Sequence, residues 1–366
     1  MGLPDIVIEF SKKAVVAIQS GSTGIVGIIL KDAKNNGAMV LRGIDEIPTG
    51  ANAFSEANTA YIERAFKGAP SKVIIYTLPQ GAENYNDAYK YFSTVKVNYL
   101  CGAPDISSSE AEAFVAWITK VRKDTVHRPV AVLPNIKANN KAVISFKVVN
   151  ATEEDKIEAG GKEFTEAEYC SRIAGLIAGL DYRVSSTFKP LDEVNMIPVA
   201  EADEIDTAID EGYLTLYNDG ERIVIARGVN SLTTVTEADT EDLKKIKILA
   251  IQDLIETDIY GTINHNYIGN YSNSYDNKCL LITAIKGYLK GLEATEGGKG
   301  YLKADSSNIE IDVAKQKQYL ESIGIDTSEM DEQAIKEANT GSKVFLKGTI
   351  SILDAIEDVE IFINKE

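Results

Sequence analysis

The chain has 366 residues, of which 44% are hydrophobic and 25% are charged, and its formal net charge at pH 7 is −17. The length suits two or three domains of typical size, and the composition is that of an ordinary globular protein, which excludes wholesale disorder. Because Asp and Glu outnumber Lys and Arg by 55 to 38, and the basic residues are scattered, we expect no nucleic acid partner.

The sequence also argues against membrane insertion and against secretion as the folding route. The longest apolar run, residues 24–30, is far too short to cross a bilayer. The first residues have neither the basic region nor the apolar core of a signal peptide. The cysteines, Cys101, Cys170 and Cys279, are widely spaced and match no metal or disulfide pattern, which favours folding in the reducing cytoplasm.

The N-terminal residues predict an extended arm followed by a hinge. Apolar side chains alternate along a strand-like segment after Pro4, which includes Ile6, Val7, Ile8 and Phe10. A Gly-Ser-Thr-Gly turn comes next, and we interpret Gly21 and Gly24 as hinge positions. Chain ends usually fray unless a sheet holds them, so an apolar terminal strand suggests pairing with another chain.

Residues 24–235 predict an α/β core domain. Short apolar runs typical of buried strands lie at residues 24–30, 73–77, 97–101, 130–133 and 143–150. Helical periodicities lie at residues 55–67, 84–92, 109–123 and 165–180. Strands that alternate with helices predict a mostly parallel sheet with helices on both faces. Residues 152–162 read as an exposed loop, and residues 213–217 and 222–227 flank an Asn-Asp-Gly turn that predicts a hairpin.

A polar stretch at residues 235–241 predicts the start of a second domain. Beyond it, helical patterns lie at residues 243–259, 278–292, 309–323 and 332–339. Residues 344–363 predict two further strands, in which Val359, Ile361 and Ile363 alternate with Glu360 and Phe362. Gly341 lies in a polar junction before them and is a further hinge candidate. The expected domains are an N-terminal linker arm at 1–20, an α/β core at 21–235, an α+β domain at 236–342, and C-terminal strands with a linker at 343–366.

A search for catalytic chemistry gives no convincing set. There is no G-x-S-x-G elbow and no G-x-x-x-x-G-K-[ST] phosphate loop, and the Gly-rich turn at residues 21–27 precedes a strand instead of joining a strand to a helix. The two histidines, His127 and His265, have no acidic or thiol residue at ligand spacing. We therefore predict a structural protein with no catalytic, cofactor-binding or metal-binding residues.

Several segments, in their order along the chain, resemble a known family. These are the opening residues 2–10, residues 61–73, residues 174–194 with two glycines four apart, and the hairpin region at residues 212–234. The chain resembles contractile tail sheath proteins of phages, especially the short sheaths of phage-tail-like, R-type and diffocin-like bacteriocins and of Gram-positive prophages.

The resemblance implies a subtilisin-like topology without catalysis and without a large inserted domain. It implies that subunits stack as hexameric rings around an inner tail tube, attach to baseplate and tail terminator proteins, and contract to drive the tube through a bacterial envelope. Both terminal arms would pair with strands of neighbouring subunits. Assembly would take place in the cytoplasm, and the finished particle would act outside the cell. A type VI-like injection sheath and an unrelated α/β enzyme remain as alternatives.

Overall fold

The computed structural model describes residues 24–152, 156–295 and 300–364, which form two compact units. The first, called the core unit, comprises residues 24–257 and 353–364, and the second, called the C-terminal unit, comprises residues 258–352. The division therefore falls at residue 258, whereas the polar stretch at residues 235–241 lies within the core unit. Among the described residues, no helix is long and apolar enough to cross a membrane.

The core unit alternates strands and helices. Its strands are β1 (Ile25–Asp32), β2 (Gly37–Leu41), β3 (Lys72–Pro79), β4 (Tyr99–Cys101), β5 (Val130–Pro134), β6 (Val143–Phe146), β7 (Ile157–Ala159), β8 (Lys162–Phe164), β9 (Val194–Met196), β10 (Tyr213–Leu214), β11 (Leu216–Asn218) and β12 (Ile223–Ile225). Its helices are α1 (Glu56–Phe66), α2 (Asn86–Phe92), α3 (Ser108–Asp124), α4 (Glu166–Gly179) and α5 (Ala202–Asp210). Helix α6 (Ile246–Thr262) contains the division between the units.

The main sheet confirms the predicted parallel architecture. Within the described residues its strand order is β10-β6-β5-β4-β1-β3-β2, and β2 alone pairs antiparallel to its neighbour. Strand β1 pairs in parallel with β3 and β4, and its residues 25–30 are almost completely buried. A strand covered on both faces reads as an unbroken apolar run, which is why this strand was recognisable from the sequence.

Helices cover both faces of this sheet. On one face, α2 and α3 contribute an aromatic layer in which the rings of Tyr89 and Trp117 stack with their centroids 4.6 Å apart. Helix α3 begins where Ser107 and Glu110 form a capping box. On the other face, α1 and α4 approach so closely that a Cβ atom on Gly175 would lie 2.0 Å from the carbonyl oxygen of Ala65.

The core unit differs from the prediction in several places. Within residues 152–162, predicted as loop, the described part contains β7, which pairs with β8 and β9 in a small antiparallel sheet. Strands β2, β8 and β9 and helix α5 were not predicted, because such short segments give little signal. The predicted hairpin is confirmed as the pair β11–β12.

The C-terminal unit combines helices with a two-stranded sheet. Its elements are α7 (Tyr275–Leu292), β13 (Asn308–Ile311), α8 (Val313–Ser322), α9 (Glu332–Glu337) and β14 (Leu346–Thr349). The prediction of one helix at residues 309–323 is wrong. Asp312 caps a helix that starts only at Val313, since its carboxylate accepts the Lys315 N–H at 3.0 Å, and the residues before it pair with β14.

Candidate functional site

Residues 353–364, called the C-terminal arm, expose an unusual run of large apolar side chains. The exposed fractions are 90% for Ile356, 66% for Val359, 74% for Ile361, 91% for Phe362 and 86% for Ile363. The described part of this arm contains no strand, although residues 359–363 were predicted as one. A strand needs a partner for its backbone groups, and no other segment among the described residues pairs with this one. Contiguous exposed apolar residues of this kind mark a protein interaction site.

The carboxylate of Glu357 fixes the arm to the core unit. Its Oε1 accepts hydrogen bonds from Ser185 Oγ at 2.8 Å and from Thr187 Oγ1 at 2.6 Å. Its Oε2 lies 3.3 Å from Lys245 Nζ in an ion pair, and the Glu357 side chain is only 6% exposed. A buried carboxylate needs such compensation, because removing a charge from water is costly.

Two neighbouring acids strengthen this attachment. Asp358 accepts from Arg227 Nη2 at 2.6 Å, and Asp354 pairs with Lys245. We call Asp354, Glu357 and Asp358, together with the groups that bind them, the acidic anchor. The anchor ends at residue 358, and the exposed apolar residues 359–363 follow at once.

The fold holds the receiving groups of the anchor in place. Arg227 lies just after β12, and Lys245 lies just before α6 and forms a β-bridge with Val229. The Gly228 N–H donates to Thr187 Oγ1 at 2.9 Å, and a Cβ atom at residue 228 would lie 2.4 Å from Ser186 Oγ. These two segments therefore pack closely, and a larger residue at position 228 would force the Ser186 side chain to move.

The anchor changes the titration of its members. Burial acts to raise the pKa of Glu357, but the hydrogen bonds from Thr187 and Ser185 and the charge of Lys245 outweigh it and lower the pKa. The hydrogen bond to Asp358 raises the pKa of Arg227. Each shift favours the charged form, so Glu357 and Arg227 are both ionised at neutral pH.

The substitution Glu357→Gln is expected to release the arm. Glutamine keeps the shape but removes the charge, and hydrogen bonds to a charged group typically contribute about 1.5–3 kcal/mol. We expect the ratio of detached to attached arm to rise by roughly 10- to 100-fold while the core unit stays folded, seen as a fall in the backbone NMR order parameters of residues 353–358. The matched control is Glu360→Gln, because Glu360 is exposed on the same arm. Equal order parameters in both variants would contradict the anchoring role.

The anchor is also expected to loosen in acid. Because the folded pKa of Glu357 lies below its ordinary value of 4.5, its contribution is complete above that value. The contribution is lost as the pH falls through the depressed folded pKa. The order parameters of residues 353–358 should therefore be constant from pH 7 to 5 and should fall below about pH 4.5. In the Glu357→Gln variant the fall should come from Asp358, whose pKa the hydrogen bond from Arg227 also lowers, and should begin at a lower pH.

The remaining predicted site residues have different placements. Ile6, Val7, Ile8, Phe10 and Gly21 lie outside the described residues. Gly24 has a φ of +74°, and its carbonyl oxygen accepts the Ser71 N–H at 2.8 Å, so the start of β1 is closely held. Gly341 has a φ of +62° and open space around its Cα, and its carbonyl oxygen accepts from Asn273 Nδ2 at 2.8 Å. The hinge role of these glycines stays a prediction.

The described residues hold no cluster of three or more His, Cys, Asp or Glu side chains suited to a metal. Burial lowers the pKa of His127, and it raises the pKa of Cys101 to about 12 and that of Cys170 well above its usual value. These two thiols are therefore poor nucleophiles. His265 is exposed, and its Nδ1 lies 2.7 Å from the Gly261 carbonyl oxygen.

The residues of the acidic anchor were not among the site residues predicted from the sequence. Ser185, Thr187, Arg227 and Lys245 are far from Glu357 in the chain, and no short motif joins them. One signal was present: acids at 354, 357 and 358 interrupt the apolar arm just before residue 359. A charged group in a segment otherwise suited to burial calls for a partner.

Comparison with known proteins gives consistent matches. Residues 80–231 match the phage tail sheath protein central domain. The chain is 39% identical to the tail sheath protein of Clostridium phage phiCD119 over 98% of both chains. Its fold is similar to that of a sheath tail protein from Desulfitobacterium hafniense, with a TM-score of 0.69, 17% identity, and coverage of 84% of this chain and 94% of that one. It is also similar to a chain of an extracellular contractile injection system sheath complex in the contracted state, with a TM-score of 0.66, 11% identity, and coverage of 100% and 98%.

Proposed function

Because the chain belongs to the phage tail sheath protein family, we propose that its terminal arms link each subunit to its neighbours by adding strands to their sheets. The chain is a tail sheath protein, a structural subunit of phage tails and related contractile particles. Its relatives are structural proteins, and we infer that it has no enzymatic activity of its own.

One observation carries the linking role: the exposed apolar residues of the C-terminal arm begin where the acidic anchor ends. An added strand is held by main-chain hydrogen bonds, and alternate side chains enter pockets of the receiving sheet. Val359, Ile361 and Ile363 share one face of such a strand, and Phe362 faces the other way. The same reasoning applies to the alternating residues at Ile6, Ile8 and Phe10.

The sheet of the C-terminal unit is a suitable acceptor on a neighbouring subunit. Strands β13 and β14 pair over four residues, and among the described residues neither strand pairs with a third one of that length. An isolated two-stranded sheet is only marginally stable, and additional strands stabilise it. Residues 347–349 are exposed, which leaves room for an incoming segment.

The assembled structure we propose is a stack of hexameric rings around an inner tail tube, ending at the baseplate and at a tail terminator. Contraction is then a transition between two packings of the same subunits, during which the arms stay paired with the neighbouring sheets. Subunits would be made and assembled in the cytoplasm and would act in the released particle. The sheath of an extracellular injection system is a second candidate, favoured by the full-length similarity to such a sheath.

Negative-stain electron microscopy of the purified full-length protein tests this proposal. We expect ring stacks or tubes of uniform diameter to form as the protein concentration rises. Compact particles of a single subunit at all concentrations would contradict it. The earlier alternative of an unrelated α/β enzyme is not supported, because 39% identity to a tail sheath protein extends over nearly the whole chain.

A further inference from the structure

Residues 259–275 form a segment without charge in a strongly acidic protein. They contain no Asp, Glu, Lys or Arg, although 25% of the whole chain is charged. The segment is rich in Tyr, Asn, Ser and Gly, the residue types that dominate antibody recognition loops. We call it the uncharged loop, and it lies wholly within the C-terminal unit.

The uncharged loop is held in a defined conformation. Helix α6 ends at Thr262, and a π-helical turn (Ile263–Tyr267) follows, an element that is rare and often occurs at functional sites. The rings of Tyr267 and Tyr271 stack with their centroids 5.2 Å apart. A loop that is already ordered loses little conformational entropy when it binds a partner.

Two side-chain amides hold the far end of the loop. Asn273 Nδ2 donates to Thr340 Oγ1 at 3.0 Å, to the Gly341 carbonyl oxygen at 2.8 Å and to the Lys343 carbonyl oxygen at 3.0 Å. Asn277 Nδ2 donates to the Ser272 carbonyl oxygen at 2.8 Å. Within the loop, Asn270 Nδ2 donates to the Asn266 carbonyl oxygen at 3.3 Å.

The outer side of the loop is exposed and partly apolar. Ile268 is 64% exposed and Tyr260 is 43% exposed. Other exposed residues of the loop include Asn264, His265, Gly269 and Asn270. Aromatic, aliphatic and amide groups on an ordered loop are common in protein contact surfaces. The uncharged loop is separate from both terminal arms in the sequence.

We propose that the uncharged loop is a contact surface for a second copy of this chain, used in addition to the strand-exchanging arms. Two copies that each carry a net charge of −17 repel one another wherever their acidic surfaces meet. An uncharged surface can contact an acidic neighbour without adding to this repulsion and without burying an unpaired charge. The assignment rests on the proposed self-assembly, and it adds a contact that the arms do not supply.

The test introduces a charge at the most exposed apolar position, by the substitution Ile268→Glu. We expect the concentration at which tubes form to rise by about tenfold or more, because a carboxylate would be buried without a partner in the contact. Ile268→Asn, which adds polarity without charge, should have a smaller effect. The matched control is Ile323→Glu, at an isoleucine of the same unit that is 49% exposed and outside the loop.

Sedimentation and negative-stain microscopy of the four proteins give the readout, with circular dichroism to verify folding. Tube formation by Ile268→Glu at the concentration of the unmodified protein would overturn the proposal. The same holds if the variant forms normal tubes of sheath but no longer co-sediments with the inner tube protein, since the loop would then bind the tube. If the unmodified protein itself forms no tubes, the proposed function fails instead.

Discussion

Deletion of residues 359–366 is expected to leave a folded subunit that no longer assembles. The apolar side chains of this segment are mostly exposed, so their removal takes nothing from the core of either unit. In an assembled sheath they would be buried against a neighbour, and full burial of such a side chain contributes about 1.5–3 kcal/mol. Several of them together correspond to a rise of roughly a thousandfold or more in the concentration needed for assembly.

The deletion is best compared with a shorter truncation that removes only residues 365 and 366. We expect the short truncation to form tubes, and the long one to sediment as a single subunit with an unchanged unfolding temperature. If the long truncation unfolds, the segment belongs to the protein's own core and the linking role is wrong. If it forms tubes as readily as the full chain, another part of the molecule makes the joint.

The second large effect is expected from Gly175→Ala, in the segment where α4 crosses α1. A Cβ atom at this position would lie 2.0 Å from the Ala65 carbonyl oxygen and 2.8 Å from its carbonyl carbon. Both are backbone atoms, so the helices themselves would have to separate. Gly68 faces the same contact, since its own Cβ would lie 2.0 Å from the Gly175 carbonyl carbon. We expect a loss of about 3 kcal/mol or more in the free energy of unfolding.

Gly287→Ala provides the control for this prediction. Gly287 lies in α7, and a Cβ atom there would meet nothing within 4 Å. Alanine is the better helix former, so this change should stabilise the protein by about 0.5–1 kcal/mol. Urea unfolding followed by circular dichroism measures both variants. Equal stabilities for the two would show that the α1–α4 contact is looser than the geometry indicates.

The elements that could be predicted are those whose burial shows in a local pattern of apolar residues. Strands β1, β3 and β5 are runs of apolar residues, and α3 has a clear helical period and a capping box. The failed helix at residues 309–323 shows the limit of this approach. Ile309 lies four residues before Val313, which fits a helical period, whereas Ile309 and Ile311 alternate as in a strand. Pairing with β14, far along the chain, decides between the two.

Part of the candidate site could likewise be predicted from a local pattern, and part could not. The apolar alternation of Val359, Ile361 and Ile363 is local, so the arm could be found from the sequence. The acidic anchor could not, because Glu357 and Thr187 are 170 positions apart and their contact exists only once the core has folded. The alternation also predicts a strand at residues 359–363, whereas these residues pair with no strand edge in the described part of the chain.

The most direct test of this account is cryo-electron microscopy of assembled tubes, with the path of residues 359–363 traced in the density. We predict that this segment pairs as a strand with a sheet of a neighbouring subunit, with Val359, Ile361 and Ile363 buried on one face. A segment that stays exposed in the tube, or that pairs with a sheet of its own subunit, would contradict the linking role of the arm.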